Sequence, residues 1–252
     1  MNIALFQYAP VWESKTANTN QIISALENQD KKFDLLIFPE MTLTGFSMNS
    51  EIISENTRGA TAAFFTELAL EHNCAIIAGM SLFENKQKFN AAVYFNSEGT
   101  ILGVYKKIHT FPLSDEGSFY SSGKEVVIIN DLGIKIGLSV CYDLRFPELF
   151  RMYAKAGVEL IVNIANWPAS RADHWTTLLK ARAIENQCFV AGVNRSGEDS
   201  STSYQGESNI FGPTGANLVP EISKCPEIVT IDISEVETVR EKYPFLQNIS
   251  LI

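Results

Sequence analysis

The chain has 252 residues, a formal net charge of −9, 46% hydrophobic and 19% charged residues, values that give a large core and exclude a disordered chain. The acidic balance argues against nucleic acid or an anionic membrane surface as a partner. Four widely spaced cysteines (Cys74, Cys141, Cys188, Cys225) include no C-x-x-C pair, and His72, His109 and His174 form no ligand grouping, so reduced thiols and no metal are expected.

In chain order, residues 3–6 read as a first core strand rather than part of a signal peptide. No run approaches the roughly 18 apolar residues that span a bilayer, and a cytoplasmic location is expected. Residues 20–26 carry helix-spaced Ile22, Ile23 and Leu26; residues 35–38 form a buried-type strand ending at Pro39; residues 60–70 are helical. Strands follow over 75–80, 91–95, 101–105, 126–129 and 134–140. The links 96–99 and 130–133 suit hairpins. A helix over 147–156 precedes a strand at 160–163, and a helix over 175–186 precedes one at 189–193. A strand at 228–233 and a helix over 236–243 close the pattern. Hairpins mixed with strand–helix–strand units predict an α/β fold with mixed sheets and helices on their outer faces. No linker or repeat divides the chain, so a single domain over 1–252 is expected, with a pseudo-twofold arrangement of helices over two stacked sheets.

Three strand exits and one loop carry chemistry. Glu40 directly follows the strand ending at Phe38-Pro39. A carboxylate there is either a solvated cap or a general base able to take a proton from a thiol. At Tyr105-Lys106-Lys107-Ile108-His109, alternation points the two lysines to opposite faces, so one can face the interior and stabilise a thiolate or an oxyanion. Asp115-Glu116 is either a solvated acidic loop or places Glu116 toward a pocket. Cys141 ends an apolar strand and opens a polar turn, which makes it a small core residue or a nucleophile beside inward-pointing backbone N–H groups.

Taken together, Phe38-Pro39-Glu40, Tyr105 to His109 and Cys141-Tyr142-Asp143-Leu144-Arg145-Phe146-Pro147-Glu148 resemble the three signature segments of the nitrilase superfamily of carbon–nitrogen hydrolases. The likeness runs on through Ala165-Asn166-Trp167-Pro168, the 181–187 run and Gly212-Pro213-Thr214-Gly215. Within that superfamily the chain is most similar to the omega-amidases, which hydrolyse the terminal amide of 2-oxoglutaramate or 2-oxosuccinamate. Thr110 departs from the usual leucine after the histidine and touches neither a charge nor the thiol.

The resemblance implies an α/β four-layer α-β-β-α sandwich with two mixed β-sheets. It implies Glu40 as general base, Lys107 as oxyanion lysine, Cys141 as nucleophile, Glu116 as second glutamate and the Tyr142 backbone N–H as oxyanion donor, with no cofactor. For the substrate, Arg171 is the expected partner of a carboxylate. Phe46, Trp167 and Trp175 are expected as pocket walls, with core or dimer packing open for the two tryptophans. Arg145 and Arg182 are expected in internal ion pairs with Asp143, Glu148 or Glu185. A homodimer or larger homo-oligomer is implied, through residues 146–153 and 175–186. The alternatives are the same chemistry on a deaminated glutathione, a carbamoyl amine or a nitrile, or a catalytically silent scaffold.

Overall fold

The computed structural model describes residues 1–27, 29 and 31–250. Its first half runs β1 (Asn2–Leu5), α1 (Lys15–Leu26), β2 (Leu35–Ile37), α2 (Ser50–Ile53), α3 (Ala60–His72), β3 (Ala75–Glu84), β4 (Gln87–Phe95), β5 (Ile101–Lys106) and the short α4 (Glu116–Phe119). The second half runs β6 (Ile128–Asp131), β7 (Ile134–Val140), α5 (Pro147–Lys155), β8 (Leu160–Ala165), α6 (Ala172–Asn186), β9 (Phe189–Asn194), β10 (Ser196–Glu198), β11 (Ser203–Gln205), β12 (Asn209–Phe211), β13 (Glu227–Thr230) and α7 (Ser234–Lys242).

Two mixed sheets result, ordered β13-β1-β2-β3-β4-β5 and β12-β9-β8-β7-β6. Each has three parallel strands, β1-β2-β3 in one and β7-β8-β9 in the other, with antiparallel strands at both flanks. The register explains why the parallel strands are apolar on both faces. Ile3, Leu35 and Ala75 line up across the first sheet, as do Leu5, Ile37 and Ile77, and both rows join the core shared with the second sheet. The alternate row, Ala4, Leu36 and Ile76, turns the other way onto Ile22 and Leu26 of α1 and Phe65 and Leu68 of α3. On the second sheet, Phe150 and Tyr153 of α5 and Trp175 and Leu179 of α6 cover the outer face. The layers are therefore α-β-β-α.

Several elements extend beyond their apolar pattern. Helix α1 starts at Lys15 rather than residue 20, because Asn18 is buried by bonds to the Val11 N–H, the Val11 carbonyl and the Leu43 carbonyl. Strands β3 and β4 meet in a tight hairpin at Asn85-Lys86, both with positive φ (50° and 65°), as a two-residue primed turn requires. The three-residue strands β10, β11 and β12 are too short to show a period in sequence. Among the described residues no helix is long and apolar enough to cross a membrane.

The parallel strands of both sheets run out toward one region, carrying Glu40 from the first sheet and Cys141 and Asn166 from the second. The turn bearing Glu40 lies directly against β3. Thr42 N–H donates to the Gly79 carbonyl at 2.9 Å and Gly79 N–H donates to Thr42 Oγ1 at 3.1 Å. A Cβ on Gly79 would sit 2.4 Å from Met41 N and 2.6 Å from Glu40 Cα, backbone that cannot step aside. Gly79→Ala is expected to cost about 1–3 kcal/mol, read as a lower urea midpoint at unchanged slope. An unchanged midpoint would show that the Glu40 turn yields freely.

Candidate active site

Lys107, Glu40 and Glu116 form a buried ionic cluster, each 1% exposed or less. Lys107 Nζ lies 3.0 Å from Glu40 Oε1 and 2.8 Å from Glu116 Oε2. Two carboxylates against one ammonium leave a surplus negative charge, which burial tolerates only with further donors. Asn90 Nδ2 bridges the two acids, at 2.6 Å from Glu40 Oε1 and 2.8 Å from Glu116 Oε1. The Asn166 N–H donates to Glu40 Oε2 at 2.8 Å, and the Phe111 N–H to Glu116 Oε2 at 2.6 Å. Burial opposes the charge on Lys107, but the Glu40 and Glu116 charges outweigh it and hold the ammonium above its usual range.

Cys141 begins a 3-10 turn, Cys141–Arg145, at the end of β7. Its φ is +47°, a left-handed conformation that costs a non-glycine residue about 1–3 kcal/mol and persists only where its surroundings enforce it. Tyr142 is the second residue of that turn, so its N–H is among those with no partner inside it. Burial pushes the Cys141 thiol well above the usual range, and the Glu40 charge adds to this. The Lys107 ammonium pulls the other way. The resting sulfur is therefore a protonated thiol, within the field of all three cluster charges.

Cys141 opens into a cavity of about 430 Å³. Phe46, Trp167 and Arg171 line it, with Lys107 Nζ 5.1 Å from the Phe46 ring centre. Trp175 does not reach it. That ring is fully buried behind Trp167, at 5.6 Å between ring centres, and its Nε1–H donates to the Glu207 carbonyl at 2.9 Å. Trp175 is core, which replaces its expected place in the wall.

Arg182 keeps the expected internal pairing, 2.9 Å from Glu185. Arg145 does not. Its guanidinium lies 4.7 Å over the Trp167 ring, contacts His174 Nδ1 at 3.2 Å and faces the cavity. Of its expected partners, Asp143 is occupied elsewhere by Tyr105 and His109, and Glu185 by Arg182.

Sequence reasoning missed Asn90 as a bridge, although a lone amide between Phe89 and Ala91 in an apolar strand is a readable anomaly. It also missed the tip of the β10–β11 hairpin, residues 199–202, which forms one cavity wall. Among the described residues no three His, Cys, Asp or Glu side chains gather as a metal ion needs.

Comparison with known proteins converges on the same chemistry. A family model described as carbon-nitrogen hydrolase matches residues 2–241. The chain is 36% identical to a protein of Staphylococcus aureus named hydrolase in agr operon, covering 100% of this chain and 98% of the relative. It is 33% identical to a 2-oxoglutaramate amidase of Bacillus subtilis, covering 98% and 96%. Among solved structures, a CN-hydrolase superfamily protein of Xanthomonas campestris, with an arsenic adduct in its active site, superposes with a TM-score of 0.93 at 32% identity over 100% of this chain and 98% of that one. With a family model spanning nearly the whole length and relatives matched end to end, the chain belongs to the carbon–nitrogen hydrolase family.

Proposed function

We propose that this hydrolase is an omega-amidase, releasing ammonia from the terminal amide of a small 2-oxo dicarboxylic acid monoamide such as 2-oxoglutaramate or 2-oxosuccinamate. The observation that carries this reading is a pair of guanidiniums in the cavity, whose lining also holds one carboxylate, Asp199, engaged by Tyr204 and Arg195. Arg145 and Arg171 both face the cavity, and among the described residues neither pairs with a carboxylate. Each guanidinium instead rests on an aromatic ring, Arg145 over Trp167 and Arg171 at 5.5 Å over Phe111. Two cations opposite a thiol suit a substrate with an amide at one end and a carboxylate at the other. The name of the Bacillus subtilis relative supports the same substrate class.

The proposed mechanism uses each member of the cluster. Cys141 Sγ attacks the amide carbon while Glu40 takes the thiol proton. A raised thiol pKa makes that transfer part of the attack rather than a step completed before it. The carbonyl oxygen becomes an oxyanion held by the Lys107 ammonium and the Tyr142 N–H, each such donor lowering the barrier by about 3–4 kcal/mol. Glu40 returns its proton to the amide nitrogen, the C–N bond breaks, and ammonia leaves a thioester. Water, deprotonated by Glu40, attacks the thioester through a second oxyanion in the same place. The C–S bond breaks, giving the carboxylic acid and the thiol. Glu116 acts through Lys107, holding the ammonium where both oxyanions form.

Ammonia release measured across 2-oxoglutaramate, a nitrile, a carbamoyl amine and a deaminated peptide is expected to favour 2-oxoglutaramate. Preference for any other member would overturn the substrate reading. Arg145→Ala and Arg171→Ala should each raise KM for 2-oxoglutaramate by about 10- to 100-fold, the worth of one charged hydrogen bond. KM for a neutral amide should hardly change, and equal effects on both substrates would take the arginines out of the binding site.

Glu40→Gln should lower kcat by about 10²- to 10⁴-fold. Removing that negative charge also lowers the thiol pKa, so iodoacetamide should alkylate Cys141 faster at neutral pH, as read by mass spectrometry. Slower alkylation would show that Glu40 does not set the field at the sulfur.

A further inference from the structure

One buried carboxylate has no part in the scheme above, yet it ties the thiol to the ammonium. Asp143 is fully buried two residues after Cys141, and among the described residues its ion-pair contact is with the ring of His109, not with lysine or arginine. Its Oδ2 accepts from the Val140 N–H at 3.0 Å and the Tyr105 hydroxyl at 2.8 Å. Its Oδ1 accepts from the His109 N–H at 2.9 Å and His109 Nδ1 at 2.7 Å. These donors fall in a pattern. Val140 and Asp143 bracket Cys141 and Tyr142, while Tyr105 and His109 bracket Lys107. A second tie reinforces the first: the His109 ring stacks on Phe146 at 3.6 Å and 5°, and the Phe146 N–H donates to the Asp143 carbonyl at 3.0 Å.

Polar groups at this depth must be satisfied, and four donors on one carboxylate leave it little freedom to shift. The Val140 bond closes the turn across Cys141, whose left-handed φ needs such enforcement. The bonds to Tyr105 and His109 fix the end of β5 against that closed turn.

We propose that Asp143 is a positioning residue for the hydrolysis, setting the separation of the Cys141 thiol and the Tyr142 N–H from Lys107, with Tyr105 and His109 as the groups through which it acts. This rests on the catalytic reading of Cys141 and Lys107. The geometry separates this role from a purely structural one. The charged groups facing the Cys141 sulfur are Glu40, Lys107 and Glu116. Were the Asp143 charge itself what mattered, neutralising it would ease thiol ionisation. Were its geometry what mattered, neutralising it would let the ammonium drift from the sulfur and hinder ionisation. The two readings have opposite signs.

The test is Asp143→Asn and Tyr105→Phe, assayed for kcat, KM and the rate of Cys141 alkylation by iodoacetamide at fixed pH. Asp143→Asn is expected to lower kcat by about 10- to 100-fold, the effect of a displacement near 1 Å in a reacting geometry, with KM within about twofold. Alkylation should become slower. Tyr105→Phe keeps the buried ring and removes one bond, so a kcat loss of about 3- to 10-fold in the same direction is expected. If Asp143→Asn fails to fold, Tyr105→Phe decides alone. Unchanged kcat, unchanged or faster alkylation, or a kcat loss that only tracks the unfolded fraction overturns the proposal. Cys141→Ala is the control for the underlying reading: if it keeps turnover, the mechanism fails, whereas an inactive Cys141→Ala beside unaffected Asp143 and Tyr105 variants sinks the positioning role alone.

Discussion

Everything at the centre of this molecule is arranged around one ammonium held between two carboxylates away from water. Lys107, Glu40 and Glu116 carry a surplus negative charge, and a buried charge without partners costs several kcal/mol. The fold meets that cost with donors from three separate places: Asn90 inside β4, the Phe111 N–H before α4 and the Asn166 N–H just past β8. Glu40 and Asn166 lie 126 residues apart in sequence and follow strands of different sheets. The ionic cluster therefore also joins the two halves. A sequence change that disturbs it disturbs the seating of one sheet on the other, so the chemistry and the architecture are under the same constraint.

The thiol sits in that field without being ionised by it. Burial and two carboxylates hold its proton on, and one ammonium does not overcome them. A permanently ionised sulfur would be exposed to oxidants and electrophiles between turnovers. A sulfur that loses its proton as it attacks is reactive chiefly toward a substrate that fits. The left-handed backbone at Cys141 belongs to the same arrangement, since it turns the side chain at the strand end into the cavity and leaves the Tyr142 N–H beside it.

Much of this was legible in the sequence, for physical reasons that can be named. The parallel strands declare themselves because burial on both faces forces continuous apolar runs, as at 35–38 and 189–193. Glu40, Lys107 and Cys141 stand out because each interrupts such a run at its exit, and their order along the chain matches a known pattern. What stayed hidden depends on contacts between distant residues. Nothing local distinguishes Arg145, over Trp167 and facing the cavity, from Arg182, which donates to the Leu144 carbonyl and pairs with Glu185. Trp167 and Trp175 look alike in sequence, and only the crossing of α6 behind the second sheet puts one in the wall and the other in the core. Asn90 shows its importance only when Glu40 and Glu116 arrive from both sides.

The binding wall and the ionic cluster share residues, and this has a consequence for how recognition reaches the chemistry. Phe111 supplies its N–H to Glu116 and its ring to Arg171. Asn166 supplies its N–H to Glu40, and the next residue, Trp167, supplies its ring to Arg145 and its Nε1–H to the Arg171 carbonyl. Both cavity cations thus stand on platforms tied to the cluster by backbone, at Phe111 itself and at Asn166 next to Trp167. In a chain with a net charge of −9, guanidiniums lacking acidic partners keep their place through those aromatic faces, which hold a cation without neutralising it. An anion drawn to Arg145 and Arg171 would press on the same two segments that orient Glu40 and Glu116. On the proposed omega-amidase reading, contacts with the far end of the substrate share backbone with the reacting end, and binding energy there serves the alignment of Glu40 and Lys107 with the amide.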